Sequence, residues 1–172
     1  MKKESNNILP RYSEWYLEKL AYSGAHTIYG EELPEYVENR LKNEIEVIVK
    51  RGLTDYFLIV QDLINTARKD FDAAIFPLRS NVSGSLVAYC LGISYLDPMK
   101  HDLYFESFVQ YNTDSFPPIC IVTDYNASME IKREMKEKYG VEHIPGFNIE
   151  ANDMIQNCLK SMVLLRQYTE GK

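Results

Sequence analysis

No window of about eighteen apolar residues occurs in this chain, so nothing in it has the length and hydrophobicity of a membrane-spanning helix. Its start, MKKESNNILPRYSEW, is basic but has no apolar core, and a secretory leader is not expected. Cysteine is scarce. Cys90, Cys120 and Cys158 lie far apart with no Cys-x-x-Cys, which argues for reduced thiols and a cytoplasmic setting. The three histidines, His26, His101 and His143, are equally scattered, and none has the spacing of a metal ligand pair. Walker and Rossmann glycine patterns are missing. Positive charge is not in excess either: 19 basic against 25 acidic residues give a net charge of −6. That balance leaves no electrostatic footprint for sequence-independent nucleic-acid binding. There is no internal repeat, low-complexity segment or linker, and the Asn-x-Ser matches at Asn81 and Asn126 read as chance.

What is present is an ordinary globular composition, 45% hydrophobic and 26% charged over 172 residues, enough for one domain with a real core. Thirteen tyrosines add amphipathic rings suited to half-buried surfaces. Residues 1–12 read as a flexible tail and 13–172 as a single domain. Ser13 is the predicted cap of a first helix with Trp15, Leu17, Leu20 and Ala21 as its apolar residues. Pro34 opens a second, with Val37, Leu41, Ile45 and Ile48 at helical spacing before Gly52. Thr54 caps a third, whose Tyr56, Phe57, Val60, Leu63, Ile64 and Ala67 form a broad buried stripe. The run AAIFP reads as a strand. In SNVSGSLVAYCLG a loop enters a short helix, with Ser83 as its cap and Gly92 past its end. DPMKHDL is a turn, and YFESFVQY is ambiguous. Ile119–Val122 is a strand, followed by a helix capped at Asn126, with Met129, Ile131 and Met135 inward and Gly140 as its stop. VEHIPGFN reads as a last strand, and a C-terminal helix follows with Ile155, Cys158, Leu159, Met162 and Val163 on one side. Short strands interspersed among helices make the fold class α/β (α+β).

The run PLRSNVSGSLVAY carries the most chemistry. A small-residue loop between a strand and a helix can turn backbone N–H groups toward a phosphate, and Arg79 would add charge-assisted bonds. An ordinary strand–loop–helix connection has the same spacing.

Several strings settle on one family. YFLIVQDLINTARKD, then LRSNVSGSLVAYCLGISYLDPMKHDLYFESF, then SFPPICIVTD and EKYG resemble the bacterial replicative DNA polymerase III alpha subunit, family C, in the same order. The resemblance covers about residues 31–144, and residues 145–172 diverge. It implies a palm-like domain of the polymerase-beta-like nucleotidyltransferase kind, with a helical N-terminal half, a short mixed sheet and a C-terminal helix. The family is a DNA-directed DNA polymerase that uses Mg2+, held by aspartates in a Pro-Asp-x-Asp-x-Asp strand. Alternate residues of a strand share a face, so such aspartates converge on one spot.

The departures fall on those functional positions. The three aspartates correspond to Pro118, Cys120 and Val122, none of which supplies a carboxylate. The family's phosphate loop, Gly-Arg-Gly-Ser followed by a second Gly-Ser, survives as Arg79, Ser80, Asn81, Gly84 and Ser85, a vestigial set with Leu78 in place of the leading glycine. An arginine in the family's Phe-Glu-Arg-Phe is Ser107. Asp102, Asp114 and Asp124 are the acids nearby, and Asp124 is expected to point away from the three strand positions. With Ile119 and Ile121 on one face and Cys120 and Val122 on the other, the strand is expected to be buried on both sides. The C-terminal helix or a partner subunit is expected to cover the second face. The resulting expectation is a polymerase-III-alpha-like fragment without catalysis or cofactor. It would be an interaction module with a protein partner or a second copy, a weak nucleotide or DNA binder, or a remnant, and not a membrane protein. The competing expectation is a metal-dependent nucleotidyltransferase with relocated carboxylates.

Overall fold

A computed structural model describes residues 8–71, 73–77, 81–109 and 115–152. Its described residues form five α-helices, two 3₁₀ turns and a three-stranded sheet, the mixed α/β class read from the sequence. Contacts divide the chain into two compact units. One comprises the chain up to Gln61 together with Asn81–Pro117, and the other comprises Asp62–Ser80 and the chain from Pro118.

The first unit is helical. Helix α1, Ile8–Tyr29, starts earlier than expected, so Ser13 lies inside it and does not cap it. Pro10 is tolerated there because the N–H groups of a first turn have no intrahelical acceptor in any case. Leu17, Ala21 and Ala25 are buried along α1, whereas Trp15 is exposed. This small-residue stripe admits the backbone of helix α4, Leu86–Cys90, so closely that a Cβ on Gly24 would lie 2.0 Å from the Cys90 carbonyl oxygen. Helix α2, Glu35–Lys50, buries Val37, Leu41 and Ile48, with Ile45 only half-buried and Glu44 buried in its stead. Gly52, at φ +65°, takes the left-handed turn that leads into helix α3, Thr54–Asp70. The predicted stripe on α3 is buried throughout. Phe57 meets Phe108 edge-to-face at 6.1 Å, and Phe108 meets Phe105 at 6.4 Å. The ambiguous YFESFVQY thus contributes a 3₁₀ turn, Phe105–Ser107, that delivers rings to this core.

The second unit is a small sheet with a crossover helix. Strand β2, Ile119–Thr123, is central. It pairs antiparallel with β1, Phe76–Pro77, and parallel with β3, Phe147–Ala151. Helix α5, Tyr125–Tyr139, makes the β2-to-β3 connection that parallel strands require. Asp124, not Asn126, caps α5: its carboxylate accepts from the Ala127 N–H at 3.0 Å. Ile131 and Met135 are buried as expected, but Met129 is 48% exposed and Ala127 and Ser128 take the inward positions. Ala127, Ile131 and Met135 lie four residues apart and share one face, which leaves Met129 on the other. Gly140, at φ +69°, closes the helix with its N–H on the Lys136 carbonyl. The segment before β3 forms turns, so the last strand begins at Phe147, later than read. The predicted C-terminal helix, read from Glu150, is corrected at its start, where Glu150 and Ala151 belong to β3 and Asn152 is not helical; residues 153–172, including Ile155–Val163, lie outside the described residues.

Candidate functional site

The alternation of β2 sorts its side chains cleanly. Ile119, Ile121 and Thr123 are completely buried. On the other face, burial is graded: Pro118 is exposed, Cys120 half-buried and Val122 only 8% exposed. Cross-strand partners share this face, so Phe76, Val122 and Glu150 stand in one row and Cys120 stands beside Asn148. Phe76, Asn148 and Glu150 are exposed, and the Asn148 side-chain amide lies 3.7 Å from the Cys120 sulfur. The expectation of a strand buried on both sides is therefore corrected. It holds at Val122 and fails toward Pro118, which precedes the first paired residue of the strand.

Pro118 and Val122 offer no donor atom at all, and the Cys120 sulfur is a soft ligand ill-suited to Mg2+. These three residues do not fit the family's cation. Glu150, one strand over, brings a carboxylate to the row of Val122. Among the described residues, no group of three His, Cys, Asp or Glu side chains is arranged to hold a metal ion.

Asp124 needs a correction of register. Its number has the parity of 118, 120 and 122, so strict alternation would place it in step with them, not away from them. What removes it is local: the strand ends at Thr123, and the buried Asp124 carboxylate is taken by the first turn of α5. Asp102 is exposed in a turn at φ +49°, and Asp114 lies outside the described residues. Ser107 donates to the Tyr104 carbonyl at 2.6 Å within its own 3₁₀ turn.

Of the loop set, Arg79 and Ser80 lie outside the described residues. Asn81 is exposed and opens a 3₁₀ turn, Asn81–Gly84. Because that turn intervenes, the cap of α4 is Ser85 and not Ser83; Ser85 Oγ accepts from the Ala88 N–H at 3.1 Å. Gly84 is needed for close approach, since a Cβ there would sit 2.3 Å from the Tyr104 carbonyl oxygen.

Sequence reading missed the residue that organises this corner. Glu44 of α2, 1% exposed, accepts from Ser85 Oγ at 2.9 Å, from Val87 N–H at 3.1 Å and from Arg40 Nε at 2.6 Å. The Leu86 N–H acts on the same carboxylate electrostatically. Arg40 Nη2 also donates to the Gly84 and Leu103 carbonyls, at 2.8 and 3.0 Å. Burial pushes the Glu44 carboxyl up from its ordinary range, while Arg40 and the two backbone N–H groups oppose that rise. A glutamate at a buried position of an otherwise apolar stripe was the only available signal. Cys90, at the other end of α4, is pushed up to about 12 by burial and is an inert thiol.

Fold and site together define a mixed α/β module with a βαβ unit, whose central strand carries no carboxylate within its span. A family model for the bacterial DNA polymerase III alpha NTPase domain matches residues 15–154. The DNA polymerase III subunit alpha of Aquifex aeolicus is 36% identical over 173 residues, covering 94% of this chain and 14% of that protein. The subunit alpha of Halalkalibacterium halodurans is 40% identical over 134 residues, covering 77% and 12%. That of Staphylococcus aureus is 41% identical over 111 residues, covering 64% and 10%. The chain belongs to the bacterial DNA polymerase III alpha family. It spans 10–14% of the length of these relatives.

Proposed function

We propose that this chain is a palm-like module of the polymerase III alpha kind that does not catalyse nucleotide transfer. In this reading it serves as a protein-interaction or weak nucleotide- or DNA-binding piece. The observation that carries the reading is the triplet Pro118, Cys120 and Val122, alternate residues entering and crossing β2 without one side-chain oxygen, at positions where the resemblance implies the family's aspartates. Two-metal phosphoryl transfer needs hard oxygen ligands converging from such a face. Glu150 favours the competing reading, a nucleotidyltransferase with relocated carboxylates, because it is exposed in the row of Val122. Among the described residues Glu150 is the one carboxylate in that row, and Asp124 is buried as a helix cap.

Primer extension with Mg2+ or Mn2+ and all four deoxynucleoside triphosphates tests the proposal, with a thermal-shift titration of the same ligands alongside. No extension is expected. Extension that disappears in Glu150→Gln would replace this reading with the enzyme.

A further inference from the structure

We propose that Glu44 is a built-in anion: its carboxylate occupies the N-terminus of α4, closes the Gly84–Ser85 element to phosphate-bearing ligands and makes it the clamp between α2 and α4. This narrows the reading above, since any phosphate the module takes must then be held elsewhere. The donors that a phosphate would need are already engaged. Val87 directs its N–H to Glu44, and Ala88 directs its own to Ser85 Oγ, which in turn donates to Glu44. With Arg40 Nε, three donors meet the two carboxylate oxygens and favour the group as an anion.

The local cation is engaged as well, because Arg40 divides its guanidinium between Glu44 and the carbonyls of Gly84 and Leu103. An incoming phosphate would meet a like charge that has nowhere to go, and expelling Glu44 would strand a half-buried guanidinium donor. Close packing excludes it too, since the Gly84 backbone lies against Tyr104. Gly84 and Ser85 thus have sufficient reasons in the fold: one permits the approach, the other caps α4 and directs its hydroxyl proton to Glu44.

Backbone amide NMR of the full chain, titrated with inorganic tripolyphosphate with and without Mg2+, reads this directly. The amide resonances of Leu86, Val87 and Ala88 are expected to stay in place. In Glu44→Gln that of Val87 is expected to move and to lose protection from hydrogen exchange. Saturable shifts of Leu86 and Val87 in the wild-type chain would overturn the proposal, and they need no variant to be seen. Shifts confined to residues 79–81, with 86–88 silent, would uphold it while showing phosphate binding earlier in the loop. Primer extension answers separately for the absence of catalysis.

Discussion

At the scale of single residues, the decisive side chains are those whose environment contradicts their type. Glu44 is a charged residue with almost no exposure, and its removal takes the acceptor from Arg40 Nε and from the Val87 N–H. Glu44→Ala should destabilise the fold by about 3–5 kcal/mol, the usual cost of breaking a buried ion pair from one side. Ser85→Ala, which removes the α4 cap and one donor to Glu44, should cost about 1–2 kcal/mol. Urea denaturation of both variants checks the order, and a Glu44→Ala chain as stable as wild type would remove Glu44 from its place in the core. Neither Glu44 nor its role was legible in the sequence. Arg40 lies one helical turn away, but the other donors to the Glu44 carboxylate, Ser85 and Val87, lie 41 and 43 residues away.

At the scale of elements, β2 and α5 act as one device. The strand was readable to within a residue, because β-branched residues between two prolines and a polar stop leave little choice. The helix start was not, since Asp124 and Asn126 are both good caps and only the strand end chose between them. Asp124→Ala should weaken α5 by about 1 kcal/mol, measurable by chemical denaturation. The graded face of β2 yields a comparison within one strand. Val122→Asp should destabilise by several kcal/mol, because it buries an unpaired carboxylate, whereas Pro118→Asp should change little. Equal effects at the two positions would mean that the face is uniformly open or uniformly closed. Helix α1 makes the same point through packing: Gly24→Ala should cost about 1–3 kcal/mol by pushing α4 off its small-residue stripe.

At the scale of the whole molecule, stability should fall on the alkaline side. Burial raises the Cys90 thiol from 9.0 to about 12, and burial together with the carboxylates of Asp97 and Asp62 raises the hydroxyls of Tyr29 and Tyr139. Each folded pKa exceeds its unfolded value, so the contribution is full below the unfolded pKa and is lost as pH rises toward the folded one. Thermal midpoints should therefore drop above pH 9, less steeply in Cys90→Ala; a midpoint flat to pH 11 would exclude a contribution from these groups. Hydrophobic periodicity and turn residues were enough to locate the described helices and the central strand, and strings in order were enough to mark the family. Periodicity and order are local properties that survive without coordinates. Three outcomes needed the folded chain: Glu44 fills the end of α4, Asp124 serves α5, and the face of β2 closes at Val122 and opens at Pro118. Each depends on which distant backbone donors and neighbouring strands a side chain meets, and no spacing along the chain records that.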